Sequence, residues 1–349
     1  MDAFFAAVEE RDKPWLKGLP VVVGADPQGG EGRGVVATAN YAARKYGIHS
    51  ALPITKAWKY SEDARKRGEK QAVFISGRSG RYGEVSREVF SIVEQYVKTI
   101  QVTSIDEGYL DFSFLRSYKK AKSVAEQIKR EIRKKLKLTC SIGIGPNKMI
   151  AKIASDHNKP DGLTVVKEKD ILDFLGPLSV GKIPGVGPKM QASLLREGVR
   201  TISDARKFSW EELYRMYGEH GLSLFQKLYG NGSTSLENRG PRKSIGQHET
   251  FREDTRDREY VYGVLQRMTA DIMNGLVRKG FRGFRTLVLT VRFSDFETKN
   301  RSLTGDGVVS SADVCMARAL KLLLPFFELK ENPQKKAIRM VGLRVENLV

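Results

Sequence analysis

The chain has 349 residues, 40% of them hydrophobic, and its 60 Lys and Arg against 41 Asp and Glu give a net charge of +19. This length exceeds that of one ordinary domain, and the apolar content excludes a wholly disordered chain. The positive charge is spread along the body of the chain, which favours a multidomain protein that binds nucleic acid. A ribosomal, a membrane-surface or a merely soluble protein is the alternative at this stage.

The cysteine content and the lengths of the apolar runs indicate the cellular compartment in which to expect the protein. Two cysteines, Cys140 and Cys315, and four histidines exclude a disulfide framework and disfavour a zinc site. No apolar run is long enough to span a bilayer, and the N-terminus lacks the basic segment of a signal peptide. We therefore expect a cytoplasmic protein without a membrane partner.

The first cluster of interest follows a loop rich in glycine at 26–34 and an alternating segment at 35–38. The next residues read as a short helix that places Tyr41 and Arg44 on one face, with Thr38 one turn earlier. A hydroxyl, a phenol and a guanidinium that point the same way make a plausible clamp for a triphosphate. A surface helix with an extended arginine explains the pattern equally well.

The strongest local pattern is the segment from Ser104 to Phe112, which follows Val102 and alternates between apolar and polar residues at 109–112, and it predicts a β-hairpin. Asp106 and Glu107 fall where the hairpin turns, and only near a turn do the carboxylates of adjacent residues converge. Their hard oxygen atoms suit Mg²⁺. A solvated acidic turn is the plain alternative, but an acidic centre in so basic a chain favours metal-dependent work on a polyanion.

A lysine-rich segment follows between 145 and 162. A turn ending in Asn147 and Lys148 opens a predicted helix that carries Lys152, and a second turn spans 157–162. The lysines of this segment are also compatible with plain solvated charge.

Residues 170–228 read as short helices with short connections, and they contain a helix-hairpin-helix pattern at 183–189. Gly185 and Gly187 allow backbone N–H groups to approach a phosphate, and the helix that begins near Lys189 favours the anion. We expect sequence-independent DNA binding here rather than chemistry. An ordinary glycine-rich helix connection is the alternative.

The last third of the chain has the most legible pattern. A polar, basic linker at 229–244 precedes the order β-α-β-β-α-β, which is the split βαβ arrangement. The predicted elements are strands at 245–253, 287–293, 299–309 and 337–346, and helices at 259–279 and 311–324. Such a sheet has one free face, where Arg292 is placed to contact a phosphate backbone.

Taken together, these motifs resemble the Y-family translesion DNA polymerases, in particular the DNA polymerase IV branch. The resemblance covers essentially the whole chain in the same order. The matching stretches are Met1 to Glu9, Ala37 to Gly47, Ser104 to Phe112, Ser141 to Lys159, Gly185 to Gly187 and Arg242 to Gly246.

The resemblance implies an α+β fold shaped as a right hand. The palm would comprise 1–11 and 71–159, and small fingers would comprise 12–70. A helical thumb with the helix-hairpin-helix would span 160–230, followed by a linker at 231–244 and a split βαβ little finger at 245–349.

The resemblance also implies the roles of individual residues. Asp106 and Glu107 would be the catalytic carboxylates and, with the main chain of Met1, would hold two Mg²⁺ ions. Phe5 would be the steric gate against ribonucleotides, although burial in the first helix is what its apolar side chain alone suggests. Nucleotide-binding residues would be Phe4, Phe5, Thr38, Tyr41, Arg44 and Lys159. DNA-binding residues would be Gly185, Gly187, Lys189, Lys243, Ser244 and Arg292.

The implied activity is template-directed, low-fidelity DNA synthesis by two-metal-ion nucleotidyl transfer, with primer–template DNA and an incoming dNTP as partners. A sliding clamp is a further implied partner, although its binding peptide would follow Val349, and we expect a monomer. In the family a third metal-binding Asp directly precedes the position of Met1, so we expect the chain as written to extend primers poorly. Two alternatives are a non-catalytic DNA-binding repair module and a metal-dependent nuclease.

Overall fold

A computed structural model describes residues 1–237, 240–329 and 331–349. The chain forms two compact units. The first comprises Met1–Gly24, Val36–Ala51 and Tyr60–Asn238, and the second comprises Ala25–Val35, Leu52–Lys59 and Arg239–Val349. Within the described part of the chain, no helix is both long and apolar enough to cross a membrane.

In the first two thirds of the chain, helices and short strands are interspersed up to Val165, and only helices follow up to Leu228. The helices are α1 (Phe4–Asp12), α2 (Tyr41–Arg44), α3 (Ile54–Lys66), α4 (Ser79–Glu94), α5 (Tyr118–Leu136), α6 (Lys148–His157), α7 (Ile171–Leu175), α8 (Pro188–Arg196), α9 (Ile202–Ala205), α10 (Trp210–Tyr217) and α11 (Glu219–Leu228). The strands are β1 (Val21–Gly24), β2 (Val36–Ala39), β3 (Val73–Ser76), β4 (Ile100–Val102), β5 (Gly108–Leu110), β6 (Ile142–Ile144) and β7 (Leu163–Val165).

These strands form three small sheets. One has the order β2-β1-β3, in which β1 is antiparallel to β2 and parallel to β3. The second is the antiparallel hairpin β4-β5, as predicted, and the third is the parallel pair β6-β7. The core beside β1 and the hairpin includes Phe4, Val8, Val23 and Ile128.

Strand β6 has α5 on one face and α6 on the other because its residues alternate. Ile144 packs on Ala121 and Ala125 of α5. On the opposite face, a Cβ atom at Gly143 would lie 2.1 Å from the carbonyl oxygen of Ala151, and one at Gly145 would meet Ile150. Only glycine therefore allows α6 to lie this close to the strand. This contact sets the position of α6, which carries Lys152.

The helices between 170 and 228 agree with the predicted helical segment. Their starts are defined by capping, since Thr201 with Asp204 and Ser209 with Glu212 form two capping boxes. The apolar sides of these helices share one core, which includes Leu175, Val180, Ile183, Leu194 and Leu213.

The last part of the chain forms a four-stranded sheet with two helices. The elements are β8 (Ser244–Thr255), α12 (Arg258–Arg278), β9 (Phe284–Phe293), β10 (Thr298–Val309), α13 (Ala312–Leu323) and β11 (Ile338–Leu348). The sheet order is β10-β9-β11-β8. Because β8 and β9 are both antiparallel to β11, they run parallel to each other and are separated by it. This is the predicted split βαβ topology.

The two faces of this sheet differ as the sequence pattern predicts. The six residues predicted for the apolar face of α12 are at most 3% exposed: Val261, Val264, Leu265, Met268, Ile272 and Leu276. On the other face polar side chains pair across strands: Thr290 with Asn300 at 2.6 Å, and Arg292 Nε with Thr298 at 2.8 Å. Arg292 therefore lies on the sheet face that the helices leave uncovered.

Candidate active site

The hairpin turn between β4 and β5 carries the two adjacent carboxylates. The main-chain N–H groups of Thr103 and Ser104 both donate to the carbonyl of Glu107, at 2.9 and 3.1 Å, and close the turn. The Ser104 hydroxyl donates to Asp106 Oδ1 at 2.8 Å. The turn therefore presents Asp106 and Glu107 from a backbone that is defined by local hydrogen bonds.

The first residues of the chain lie beside this turn. The ammonium group of Met1 donates to the main-chain carbonyl of Asp106 at 2.8 Å, so Met1 is close to the predicted metal ligands. Asp2 is only 3% exposed, and its carboxylate accepts hydrogen bonds from the hydroxyl of Ser141 and the N–H of Asp161. Asp2 therefore anchors the start of the chain and does not point to solvent.

A cavity of about 780 Å³ opens at the turn. Both hairpin acids line it, together with residues of β5 and β6 and with the lysines Lys148, Lys152 and Lys159. The backbone beyond α11 also reaches it: the N–H of Lys148 donates to the carbonyl of Ser233, and Thr234 lines the wall. The cavity thus combines carboxylates and ammonium groups in one concave surface, as a polyanion site requires.

Helix α6 brings Lys152 and a third acid, Asp156, to the site, and Lys159 follows two residues after the helix ends. Lys152 forms an ion pair with Glu107 and lies 3.5 Å from Asp156, which pairs with Lys159 at 2.6 Å. Burial alone would raise the pKa of Asp156, but the two lysines outweigh it and lower the pKa. From the sequence alone, Lys152 is also compatible with solvated charge, and Asp156 does not stand out as a site residue. Their spacing of four residues on a predicted helix was the signal available.

The predicted clamp residues of α2 do lie together. The Arg44 guanidinium lies 4.7 Å from the centre of the Tyr41 ring, and its Nε donates to the carbonyl of Ala39 at 2.9 Å. The Tyr41 hydroxyl is buried and has no hydrogen-bond partner within the described ranges. Burial, followed by the charge of Asp2, raises the pKa of Tyr41. Tyr41 therefore offers a hydroxyl donor that a ligand oxygen would satisfy.

The two phenylalanines of α1 have different environments. Phe4 is 2% exposed and its side chain belongs to the core, so a nucleotide contact by Phe4 would be made by its main chain. Phe5 is half-buried, and its ring stacks on Tyr82. The remaining nucleotide candidate, Thr38, is half-buried on β2 opposite Val23.

The predicted DNA-binding residues occur in both units. In the first unit Gly185 has a φ of +100°, Gly187 caps the N-terminus of α8, and Lys189 is exposed in its first turn. In the second unit Lys243 is exposed, and Ser244 begins β8 opposite Glu346. The hairpin-helix geometry agrees with the helix-hairpin-helix pattern in the sequence.

The donor set of the hairpin suits a hard divalent cation. Within residues 1–237, 240–329 and 331–349, no group of three or more His, Cys, Asp or Glu side chains converges. Asp106 and Glu107 nevertheless supply two carboxylates at one cavity, and Mg²⁺ is often held by one or two carboxylates together with substrate phosphates and water. The residues present therefore fit a divalent ion that is completed by its substrate.

Comparison with protein-family models matches most of the chain. Residues 1–156 match the impB/mucB/samB family, residues 242–349 match the C-terminal domain of that family, and residues 168–199 match the IMS family HHH motif. Among curated proteins, the chain is 41% identical over 349 residues to DNA polymerase IV 2 of Methanosarcina mazei, covering 100% of this chain and 90% of that protein. It is 38% identical over 348 residues to DNA polymerase IV of Methanoculleus marisnigri, covering 100% and 92%.

Solved structures agree with this result. The Y-family DNA polymerase chimera Dbh-Dpo4(243-245)-Dbh has a TM-score of 0.85 at 29% identity, with 100% of this chain and 97% of that chain covered. The insertion ternary complex of Dbh DNA polymerase has a TM-score of 0.65 at 28% identity and the same coverage.

The fold and the matched motifs together define a Y-family DNA polymerase, a class that generally needs divalent metal ions. This chain belongs to the impB/mucB/samB family. It is a DNA-directed DNA polymerase of the translesion type, similar over its whole length to proteins named DNA polymerase IV.

Proposed function

We propose that this polymerase adds deoxynucleotides to a primer at the cavity beside Asp106 and Glu107, copying damaged templates with low fidelity. The observation that carries the proposal is the pair of adjacent carboxylates in the hairpin turn, which line a cavity shared with Lys152 and Lys159. Primer–template DNA and an incoming dNTP are the partners that this chemistry requires.

Asp106 and Glu107 would hold two Mg²⁺ ions, with the main-chain carbonyl of Met1 as a further donor. When bound, such ions neutralise the charge that develops during an in-line displacement at the α-phosphate. The protein's own contribution is to position the two carboxylates. The turn holds both carboxylates beside the cavity, and Ser104 orients the carboxylate of Asp106.

The incoming triphosphate would be held by Thr38, Tyr41, Arg44 and Lys159. The buried hydroxyl of Tyr41 supports this role, because an unpartnered buried donor costs free energy that a phosphate oxygen would recover. Arg44 is already oriented by the carbonyl of Ala39 and retains its other nitrogen atoms for bidentate contact with phosphate.

Phe5 would exclude ribonucleotides by a clash with the 2′-OH of the sugar. Its half-buried ring, supported from below by Tyr82, has the rigidity that a steric filter needs. The main chain of Phe4 would lie along the same nucleotide.

DNA would be held by Gly185, Gly187 and Lys189 of the hairpin-helix segment and by Lys243, Ser244 and Arg292. These residues would contact phosphates without reading sequence. The domain bounds proposed from the family are palm 1–11 and 71–159, fingers 12–70, thumb 160–230, linker 231–244 and little finger 245–349. A sliding clamp as a further partner, a monomeric state and a cytoplasmic location complete the proposal.

A primer-extension assay with a labelled primer on a template strand tests the proposal. Slow lengthening of the primer that requires Mg²⁺ and all four dNTPs is the expected result. A primer that is bound but unchanged would favour the non-catalytic repair module, and a shortened primer would favour the nuclease.

A further inference from the structure

Four side chains of alternating charge extend from the hairpin turn along α6 to Lys159, two residues beyond the end of that helix. Glu107 pairs with Lys152, Lys152 lies 3.5 Å from Asp156, and Asp156 pairs with Lys159 at 2.6 Å. We call this set the ion relay. Its first member is the proposed metal ligand and its last is a proposed triphosphate ligand.

The four side chains of the relay are only partly exposed, so their charges interact more strongly than fully solvated charges would. The side chains of Glu107, Lys152, Asp156 and Lys159 are 43%, 30%, 35% and 26% exposed. At such depth the effective dielectric constant is well below that of water, so each ion pair is stronger than a fully solvated one. Lys152 touches two acids, Glu107 and Asp156, and Asp156 touches two lysines.

We propose that the ion relay couples the metal at Glu107 to the triphosphate at Lys159, with Lys152 as the positioning residue between them. This inference rests on the proposed function, because it takes Glu107 as a metal ligand and Lys159 as a phosphate ligand. In the arrangement seen here Lys152 neutralises Glu107, and Asp156 retains Lys159.

The coupling follows from exchange of partners along the relay. A divalent ion at Glu107 competes with Lys152 for the same carboxylate, and the displaced ammonium group has Asp156 as its other acidic partner. Once Asp156 pairs with Lys152, it attracts Lys159 less strongly, so Lys159 is released to bind phosphate oxygens. The reverse order works equally: a triphosphate that draws Lys159 away leaves Asp156 to attract Lys152 from Glu107. Such linkage is reciprocal by thermodynamic necessity.

Two substitutions in the relay are expected to have opposite effects on the two ligands. Lys152→Met removes the cation that competes at Glu107, so Mn²⁺ binds more tightly, while Asp156 retains Lys159 more firmly and dNTP binds less well without metal. Asp156→Asn leaves Lys152 with Glu107 alone, so Mn²⁺ binds less well, and it frees Lys159 for dNTP. Each change should be about 5- to 10-fold, at the lower end of the usual range of coupling between sites.

The experiment uses the full chain and two separate titrations. Free Mn²⁺ is measured by electron paramagnetic resonance in the absence of nucleotide and DNA, and dNTP binding is measured by equilibrium dialysis in EDTA. Lys135→Met is the matched control, because Lys135 also pairs with an acid, Glu131 on the same helix α5, but does not line the cavity. Circular dichroism melts verify that each variant is folded.

Glu107→Gln separates the two levels of the proposal. If this variant loses the Mn²⁺ site while Lys152→Met and Asp156→Asn behave like Lys135→Met, the proposed coupling through the relay is wrong and the metal assignment stands. If Glu107→Gln binds Mn²⁺ as well as the unaltered chain does, the metal assignment fails and the relay with it. The crossed pattern of opposite shifts in both titrations supports the relay.

Discussion

Phe5 and Tyr82 stack face to face, with their ring centres 4.2 Å apart and their planes inclined by 13°. Tyr82 is itself fixed, since it is buried and its hydroxyl donates to Glu9 Oε1 at 2.7 Å. Glu9 is fully buried and accepts two hydrogen bonds from Arg78. Burial, together with the bond to Glu9, raises the pKa of Tyr82 to about 12, so its hydroxyl remains a donor at any physiological pH. Tyr82 therefore provides a rigid surface on which the ring of Phe5 stacks.

Phe5→Ala should admit ribonucleotides, because the proposed discrimination is a clash that disappears with the ring. We expect the ratio of ribonucleotide to deoxynucleotide incorporation to rise at least about tenfold. The measurement is steady-state incorporation of each sugar type. Phe4→Leu is the control: it should lower the free energy of unfolding by ~1–2 kcal/mol without changing that ratio. An unchanged ratio in Phe5→Ala would show that Phe5 does not select the sugar and only packs in the core.

Asp106→Ala and Glu107→Ala should each reduce primer extension about a hundredfold or more, because each removes a carboxylate from the proposed metal site. Affinity for primer–template should change little, since phosphate contacts elsewhere supply the binding. Asp111→Ala is the matched control, because Asp111 follows the same hairpin but accepts its hydrogen bond from the N–H of Ser113. Single-turnover incorporation and DNA titration measure the two effects. Normal incorporation by Glu107→Ala would overturn the assignment.

Gly187→Ala should weaken DNA binding several-fold without unfolding the segment. A Cβ atom at Gly187 would have no neighbour within 4 Å, so the protein accommodates it at a cost of less than about 1 kcal/mol. A phosphate that approaches the main chain closely would meet the added methyl group. Gly185→Ala provides the contrast, because a φ of +100° strains any other residue and destabilises the fold itself. Thermal melts and fluorescence anisotropy with DNA separate the two results, and undiminished affinity in Gly187→Ala would argue against phosphate contact there.

Lys243→Gln should flatten the salt dependence of DNA binding. Each phosphate neutralised contributes about −0.9 to the slope of log affinity against log salt, so one lost contact should reduce the slope by about that amount. Lys321→Gln removes the same charge from the exposed side of α13, in the helix layer, and should leave the slope unchanged. Equal slopes for the two variants would show that Lys243 does not contact DNA.

Asp12 should make stability sensitive to acid pH. Burial alone would raise its pKa, but hydrogen bonds from Arg81, Arg11 and Arg78 outweigh it and lower the pKa to about 2. Because the pKa is about 3.9 in an unfolded chain, the stabilisation is fully present above about pH 4 and is lost as pH falls towards 2. Asp12→Asn should therefore be less stable than the unaltered chain at pH 6, and the difference should narrow between pH 4 and pH 2. Melting temperatures across this range measure it, and a constant difference would contradict the ion-pair explanation.

The sequence alone predicted the elements of the last third of the chain, the β-hairpin and the short helix that begins at Tyr41, for reasons that are local. Alternation and helical periodicity identified the split βαβ order, because each pattern needs only a few adjacent residues. The hairpin turn brought Asp106 and Glu107 together within one segment, and Tyr41 and Arg44 share a face because they are three residues apart on one helix. The domain bounds and the role of each site residue remain predictions.

Tertiary structure alone decided which distant residues touch. Lys152 and Glu107 are 45 positions apart, and no periodic pattern relates them; they meet because Gly143 lets α6 lie against β6. Phe4 and Phe5 have the same side chain, yet packing buries one and stacks the other on Tyr82. Sequence periodicity specifies which face of an element is apolar, whereas contacts between elements depend on how those faces pack in three dimensions.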